Sequence, residues 1–220
     1  MFIDIHTHHA QAFNSQQFSI TNIILPQQSL PENVNCCIGW HPWYIEHFSA
    51  STIEQNLNQL GLLPQVLAIG ECGIDRAIKT RIDWQQNVFD LHLVVAKNLN
   101  KPLIVHCVRG YSDVLYSLKR MNFQLPVIFH DYRGNIEQSR ELLKFNSYFS
   151  FGKSIISELK VKSIVSEIPL SRIFFETDES SLSIEKIYLS AATVLKCSVE
   201  ELSKQVLNNF KTIFGDELVK

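Results

Sequence analysis

The chain has 220 residues, of which 45% are hydrophobic and 19% are charged. This composition excludes a disordered chain and is typical of one globular domain with a sizeable core, so we expect a single domain over residues 1–220. Lys and Arg number 20 and Asp and Glu number 22, which gives a net charge of −2. That balance excludes a strongly basic, general nucleic-acid-binding protein, and a nucleic-acid substrate would need a local phosphate-binding patch.

The beginning of the chain and its apolar segments predict where the protein acts. The sequence enters a β-like run at once, in MFIDIHTHH, without a charged leader followed by an apolar segment. Its apolar stretches are of strand length and fall short of the roughly 18 residues needed to span a bilayer. We therefore expect a soluble, cytoplasmic protein with no membrane partner and no obligate protein partner.

The cysteines form neither an even set nor a CxxC pair, and we expect them to be reduced and mostly buried. They are Cys36, Cys37, Cys72, Cys107 and Cys197. Two of them follow directly after Glu71 and His106, but strand alternation points adjacent side chains to opposite faces, which favours a packing role over metal binding.

Eight β-like runs follow one another along the chain, with helical patterns between them from about residue 36 onward. The runs are Phe2–His6, Phe18–Leu25, Cys36–Gly39, Val66–Gly70, Leu103–His106, Val127–His130, Tyr148–Phe151 and Ile173–Glu176. Strand followed by helix, repeated, favours a parallel sheet that closes into a barrel. Because such barrels typically need about 250 residues, we predict a compact, trimmed (β/α)8 TIM-type barrel.

Helix starts carry capping signals at three places. Ser51 with Glu54 and Ser198 with Glu201 match the capping-box pattern, and Ser112 can cap a helix of its own. The segment 9–35 is rich in Asn and Gln and shows no amphipathic helix. We expect its connections to be loops, and the pairing of the second strand stays open.

Six metal-capable side chains stand at the downstream ends of five of these runs. They are His6, His8, Glu71, His106, His130 and Asp178. A parallel barrel gathers the carboxyl ends of its strands at one mouth, so residues far apart in sequence become neighbours. A single histidine of this kind is more often a core residue, but the set as a whole indicates a divalent metal centre.

The first strand shows the sharpest local pattern. His6 and His8 are two residues apart, share one face of a strand and can hold one cation together. Asp4 lies on the same face and is expected to orient His6. A surface strand with unrelated histidines is the alternative, which the neighbouring Ile3 and Ile5 disfavour.

Two acids are assigned catalytic roles. Glu71 lies between Gly70 and Gly73, which permit close backbone approach, and its carboxylate can bridge two cations. Asp178 follows an apolar strand and is our predicted general base, since a divalent cation lowers the pKa of water toward neutrality. Glu176, on the same face, is either a supporting residue or a polar group of the barrel interior.

Three residues are predicted to contact the substrate: His41, Arg109 and Arg133. Each arginine follows a predicted ligand histidine by three residues, and guanidinium groups at the mouth suit an anionic substrate. A surface salt bridge is the alternative for either arginine. Trp40 and Trp43 flank His41 and either stack on a base or pack beneath the loop.

With these motifs in place, the chain resembles the TatD-family metal-dependent hydrolases, a branch of the amidohydrolase-like barrels. The resemblance rests on DIHTHH, GWHP, AIGECGID, PLIVHC, HDYRG, FFETD and a closing helix at Val206–Gly215. It implies a β/α barrel that binds one to three divalent cations, often with deoxyribonuclease or 3′ to 5′ exonuclease activity.

The resemblance also implies roles for individual residues. His6 and His8 would bind a first metal that Asp178 completes while activating water, and His106 and His130 a second, with Glu71 as the bridge. His41 and Arg109 would match substrate-contacting positions.

The chain departs from the family pattern at three places. A helix follows Asp178 almost directly in place of a longer loop, which predicts a more open cleft. Arg109 lies one position later than usual, and Arg76 replaces an aromatic residue.

Three functions are compatible with these patterns. The first is a phosphodiesterase, most simply a DNase of the 3′ to 5′ exonuclease type, which uses a metal-activated water and two divalent ions. The second is a metal-dependent amide or ester hydrolase, including one that acts on an aminoacyl ester of tRNA. The third, a non-catalytic barrel, is disfavoured because it gains little from burying so many titratable groups. Zinc, manganese, iron and magnesium all stay open.

Overall fold

The computed structural model describes residues 1–9 and 16–219, and an eight-stranded parallel sheet forms its centre. The strands are β1 (Phe2–Thr7), β2 (Gln17–Ile24), β3 (Cys36–Gly39), β4 (Val66–Asp75), β5 (Leu103–Val108), β6 (Val127–Phe129), β7 (Ser147–Phe151) and β8 (Ile173–Phe175). Each strand pairs in parallel with the next along the chain. The predicted (β/α)8 barrel is confirmed.

The sheet closes on itself between β8 and β1. Thr7 and Asp178 form an isolated parallel bridge, and the Asp178 N–H donates to the His6 carbonyl at 2.9 Å. The His8 N–H in turn donates to the Asp178 carbonyl at 3.1 Å. The seam of the barrel therefore runs through three of the predicted ligand residues and fixes their backbones relative to one another.

Asp4 stabilises the same seam from inside the barrel. Its carboxylate accepts hydrogen bonds from the Thr177 N–H at 2.9 Å and from the Thr177 hydroxyl at 2.7 Å. The prediction that Asp4 orients the His6 ring is wrong, because within the described chain both ring nitrogens of His6 lack a hydrogen-bond partner. Asp4 reaches across to β8 because the barrel is closed, which the sequence of one strand does not reveal.

The second strand takes an ordinary place in the sheet. Thr21 of β2 pairs with Cys36 of β3, and Phe18 pairs with Ile3 of β1. Residues 25–35 contain turns and no helix, as expected. The part of that prediction covering residues 10–15 lies outside the described residues.

Helices cover the outside of the sheet. They are α1 (Ala50–Gly61), α2 (Ile82–Leu99), α3 (Tyr111–Arg120), α4 (Ile136–Leu142), α5 (Ser154–Ser157), α6 (Leu159–Glu167), α7 (Ile184–Leu195) and α8 (Val199–Phe214), with 3-10 turns at Pro42–Tyr44, Leu170–Arg172 and Glu217–Val219. Helix α7 follows Asp178 after five residues, as the sequence predicts. In the part of the chain that the structure describes, no helix is both long and apolar enough to cross a bilayer.

The predicted helix caps had mixed outcomes. The capping box of Ser198 and Glu201 is present at α8. At α1 the cap is Ser49, whose hydroxyl accepts from the Thr52 N–H at 3.1 Å, so the predicted Ser51–Glu54 box is wrong. The prediction for α3 is also wrong, since that helix begins directly after Gly110. In both cases the helix starts before the predicted cap, since Ser49 caps α1 and Gly110 precedes the first turn of α3.

The five cysteines are free, and Cys36, Cys37 and Cys72 are buried. Cys72 lies next to Glu71 but directs its thiol to the Ile104 carbonyl at 3.7 Å. This agrees with a packing role for the cysteine.

Candidate metal centre

Glu71 lies at the centre of the barrel mouth, in an irregular part of β4. The strand extends to residue 75 and its register with β5 shifts around Glu71, which is the geometry of a bulge. Gly70 and Gly73 have φ values of +143° and +145°. A Cβ at these positions would lie 2.2 Å and 2.0 Å from β5 carbonyl oxygens, so only glycine fits. The two glycines thus bring the buried Glu71 carboxylate close to β5.

One carboxylate oxygen of Glu71 faces the β1 side of the mouth. Glu71 Oε2 lies 3.5 Å from His6 Nε2 and 3.8 Å from His8 Nε2. Asp178 Oδ1 completes this group, at 3.7 Å from His6 Nε2 and 3.4 Å from His8 Nε2. Four predicted site residues from three strand ends therefore surround one small volume.

The other oxygen of Glu71 faces three histidines on the opposite side. Glu71 Oε1 lies 2.8 Å from His130 Nε2, 2.9 Å from His106 Nδ1 and 3.2 Å from His41 Nε2. The six predicted metal ligands thus converge. His41, predicted to contact substrate, lies in the same cluster and in direct contact with Glu71.

Asn22 holds the Glu71 carboxylate from the β2 side. Its side-chain N–H donates to Glu71 Oε2 at 2.8 Å, and its Oδ1 accepts from the Glu71 N–H at 3.1 Å. Sequence reasoning missed Asn22, although an amide in the apolar run of β2 is a signal of a buried polar partner. Its two bonds fix both the backbone and the side chain of Glu71.

Two further carboxylates hold the histidines of β5 and β6. Asp75 Oδ2 lies 3.3 Å from His106 Nε2, and Glu176 Oε1 lies 3.3 Å from His130 Nδ1. Such carboxylate–histidine pairs orient ligand rings in metal sites. Glu176 thus takes the supporting position that the sequence allowed, whereas the role of Asp75 was missed because it follows Glu71 by four residues in an unusually long strand.

The carboxylates and histidines of the cluster shift one another's pKa values. Burial raises the pKa of Glu71, but the charge of His130 and hydrogen bonds from His106 and His130 hold it well below its ordinary value. Burial lowers the pKa of His130, yet the charges and hydrogen bonds of Glu71 and Glu176 raise it well above its ordinary value. Burial, followed by the charge of His130, lowers the pKa of His6 to about 3. His6 is therefore a neutral imidazole near pH 7, the form that binds metals. His130 carries a proton in this electrostatic setting, and a cation bound at its Nε2 would have to displace that proton.

The cluster fits a divalent metal ion. His6 is fully buried with no hydrogen bond to either ring nitrogen from any described residue, an arrangement that is costly unless a ligand satisfies it. Three overlapping groups have ligand atoms within 4.8 Å of one another: His6, His8 and Glu71; His6, His130 and Asp178; and His41, Glu71 and His106. Imidazole with carboxylate suits zinc, manganese or iron, and magnesium less well.

A cleft of about 560 Å³ opens beside the cluster and shares His106 and His130 with it. Arg109, Arg133 and Lys160 all line this cleft, so both predicted arginines lie at the mouth. Arg109 is exposed, and its side chain makes no hydrogen bond or ion pair with the described residues.

Arg133 is already occupied by carboxylates. Its guanidinium forms ion pairs with Asp131 at 2.8 Å and with Glu158 at 3.0 Å. It therefore matches the salt-bridge alternative while still lining the cleft. Arg109 and Arg133 each follow a predicted ligand histidine by three residues, but of the two only the guanidinium of Arg109 is left unpaired by the described residues and able to bind an anion.

The backbone at the mouth is strained at three non-glycine residues. Arg109, Asp131 and Asp178 have φ values of 55°, 33° and 52°. Left-handed backbone at such residues is uncommon and concentrates at functional sites. The strain coincides with the carboxyl ends of β5, β6 and β8, where the candidate ligands and the cleft lie.

The family comparison agrees with this geometry. A model of the family described as TatD related DNase matches residues 4–215. The chain belongs to the TatD-related DNase family. The predicted membership of the TatD family is confirmed.

The alignments with two TatD relatives cover a larger share of this chain than of the relative. The uncharacterized metal-dependent hydrolase YabD of Bacillus subtilis is 34% identical over 66% of this chain and 58% of its own length. The 3′-5′ ssDNA/RNA exonuclease TatD of Escherichia coli is 28% identical over 69% of this chain and 61% of its own. The chain thus spans about three fifths of these two relatives.

A solved TatD structure matches the whole barrel. The crystal structure of YjjV, a TatD homolog from Escherichia coli, superposes with a TM-score of 0.83 at 20% identity, covering 98% of both chains. The likeness supports the fold described above.

Proposed function

We propose that this chain is a divalent-metal-dependent phosphodiesterase that removes nucleotides from the 3′ end of single-stranded nucleic acid, DNA in the first place. The observation that carries the proposal is the position of Glu71, whose two carboxylate oxygens face two separate groups of ligand side chains. A carboxylate so placed suits a bridge between two cations that clamp one phosphate. The family match and the relative named as a 3′-5′ exonuclease support it.

The residues divide between two metal sites with Glu71 shared. We assign His6, His8, Glu71 and Asp178 to one site, and Glu71, His106 and His130 to the other. Divalent cations held there would lower the pKa of water and offset the charge of a phosphate. His41 contacts Glu71 Oε1, so it either completes the second site or donates a hydrogen bond to a substrate oxygen.

In this proposal Asp178 accepts a proton from the attacking water. Its side chain is 32% exposed, so solvent reaches it, and its backbone is fixed in the barrel seam. Burial raises the pKa of Asp178, but the hydrogen bond from His8 together with the electrostatic effects of His6 and His130 holds the pKa well below its ordinary value. Asp178 is therefore ionised near pH 7, the protonation state that a general base requires.

Arg109 is the residue that binds the phosphate in this proposal. Its guanidinium is exposed, lines the cleft next to His106 and His130, and has no protein carboxylate paired with it in the described chain. A free guanidinium there offers forked hydrogen bonds to non-bridging phosphate oxygens.

The proposal is tested with single-stranded DNA, duplex DNA and RNA of one sequence, each labelled at the 5′ end. We expect a ladder shortened from the 3′ end of the single strands, lost on chelation and restored by a divalent cation. Asp178→Asn should lower turnover about 1,000-fold, roughly 4 kcal/mol of barrier, with oligonucleotide binding nearly unchanged. Glu167→Gln, at an exposed acid that ends α6, is the matched control. Unchanged turnover of Asp178→Asn would refute the base assignment.

A second function keeps the centre and changes the substrate to an amide or ester, including an aminoacyl ester of tRNA. The observation in its favour is that Arg133 is neutralised by Asp131 and Glu158, so the cleft is less cationic than its sequence suggests. The two functions separate in one assay, since Arg109→Ala should impair phosphodiester cleavage but not hydrolysis of a neutral ester. Turnover of esters without cleavage of any nucleic acid would favour this alternative.

A further inference from the structure

The two tryptophans that flank His41 occupy opposite environments. Trp40 is 1% exposed and packs edge-on against Phe48, with 4.6 Å between ring centroids. Trp43 is 55% exposed and lines the same cavity as Glu71 and the cluster histidines. The sequence left base stacking and packing open for both, and the structure excludes stacking on a ligand for Trp40.

The exposed Trp43 ring is nevertheless held firmly in place. Its indole N–H donates to Asp75 Oδ2 at 2.7 Å, and Asp75 is buried. The ring meets His41 edge-on, with 4.9 Å between centroids and 88° between planes. Its backbone N–H donates to His41 Nδ1 at 3.3 Å, at the start of the 3-10 turn Pro42–Tyr44. A large aromatic surface that is oriented yet left in water is typical of a binding surface.

Only the imidazole ring of His41 lies between Trp43 and the Glu71 carboxylate. The His41 ring that Trp43 touches has its Nε2 at 3.2 Å from Glu71 Oε1, and the Trp43 and His106 centroids are 6.2 Å apart. In a nucleotide the base is one sugar away from the phosphate. A phosphate bound at the two proposed metal sites that share Glu71 therefore has a neighbouring base within reach of the Trp43 indole.

We propose that Trp43 is the stacking platform for a nucleobase next to the scissile phosphate. The inference rests on the proposed function, because it takes the substrate to be a nucleic acid strand. Asp75 ties the platform to the metal-binding residues, since its Oδ2 accepts from Trp43 Nε1 and lies 3.3 Å from His106 Nε2. The distance between the stacked base and the reacting phosphate is thereby set by the protein.

This platform favours single strands and tolerates any sequence. Every base has a π-face, so stacking on an indole does not depend on base identity. Bases inside a duplex are already stacked and paired, and must be pulled out before one of them can lie on Trp43. The same face serves DNA and RNA, and parallel DNA and RNA arms of the experiment report which strand is used.

The test uses Trp43→Ala, Trp43→Phe and the control Tyr116→Ala, with metal content measured for each. Tyr116 is an aromatic residue of similar exposure, 59%, outside the cavity at the cluster. The ligands are oligothymidylate, its RNA counterpart and oligothymidylate with abasic sites at its last two 3′ positions. The readouts are KM, kcat and quenching of tryptophan fluorescence on binding.

We expect Trp43→Ala to weaken binding of oligothymidylate and raise its KM about 5- to 150-fold, the range for one lost base stack, with a smaller change in kcat. Trp43→Phe should recover most of the affinity, because it keeps an aromatic face, although it loses the hydrogen bond to Asp75. The abasic strand should bind the wild type and Trp43→Ala alike. Fluorescence quenching should be lost in Trp43→Phe and kept in Tyr116→Ala.

Contrary outcomes separate this inference from the proposed function. Equal binding of oligothymidylate by the wild type and Trp43→Ala, with cleavage intact, overturns the platform and leaves the nuclease standing. An equal loss on the intact and abasic strands, or an equal defect in Trp43→Phe and Trp43→Ala, also overturns it, because the role is then structural. Quenching and base-dependent binding without cleavage of any strand support the platform and overturn the nuclease.

Discussion

The metal cluster and the cleft beside it lie at the same mouth but are built differently. In the cluster, Glu71 is buried and contacts residues from five other strand ends, and two carboxylates behind it hold His106 and His130. In the cleft, the cationic side chains are exposed, and the Arg109 guanidinium forms no hydrogen bond or ion pair with the described residues. In the proposed enzyme the catalytic groups are therefore strand-end residues in contact with one another, whereas the proposed phosphate contact, Arg109, is an exposed residue outside that network.

The largest expected effect follows from breaking the centre of the cluster. Glu71→Gln removes the negative charge that both groups of ligands share, and we expect turnover to fall at least about 1,000-fold with loss of bound metal. Elemental analysis and turnover on oligonucleotides check this. Glu167→Gln, at an exposed carboxylate, is the control. Full metal content in Glu71→Gln would contradict the bridging role.

A smaller loss is expected where a carboxylate acts through a histidine. Asp75→Asn keeps an oxygen acceptor but removes the charge beside His106, and we expect metal affinity to fall about 10- to 100-fold. Metal titration in a chelator buffer measures this. Asp83→Asn, at an exposed acid of α2, is the control. An affinity equal to that of the wild type would show that the charge of Asp75 does not act on the metal through His106.

The cleft contains two arginines at corresponding sequence positions, and their substitutions can be compared directly. Arg109→Ala should raise KM for an oligonucleotide about 10-fold, because it removes an unpaired guanidinium, whereas Arg133→Ala should raise it only about 2-fold, as expected for a cation already paired with carboxylates at the surface. Steady-state kinetics at two salt concentrations tests this. A larger effect at Arg133 would reverse the assignment of the phosphate contact.

The smallest effect on activity is expected far from the mouth. The Tyr188 hydroxyl of α7 accepts from the Ile3 N–H at 3.2 Å and donates to the Ile3 carbonyl at 2.9 Å. Tyr188→Phe should lower the free energy of unfolding by about 1 to 3 kcal/mol, since two buried backbone groups lose a partner, and leave turnover unchanged. Urea denaturation measures the change, with the exposed Tyr116→Phe as control. Unaltered stability would show that the hydroxyl contributes little.

Much of the fold was predictable because apolar runs, helix patterns and polar strand ends are local properties. The runs at Leu103–His106 and Val127–His130 indicated both the strand and the residue at its end. Strand ends of a parallel barrel meet at one mouth, so the convergence of the six predicted ligand residues followed. Their role as metal ligands is still a prediction.

Hydrogen-bond partners that are brought together by barrel closure and strand register were not predictable from the sequence. Asp4 was assigned to His6 but bonds Thr177, because β8 lies beside β1 only once the barrel has closed. Asn22 was missed because the bulge of β4 brings Glu71 against β2. Such contacts depend on residues far apart in the chain.

By itself the sequence determined the order of strands and helices and the chemistry at the strand ends, because periodicity and residue type act over a few neighbours. Only the tertiary structure decided which of two similar residues is available to contact a substrate. Arg133 is paired and Arg109 is not; Trp40 is buried and Trp43 lies in water at the mouth. Closing the barrel fixes the distances between loops, and those distances decide which side chains remain free to meet a substrate.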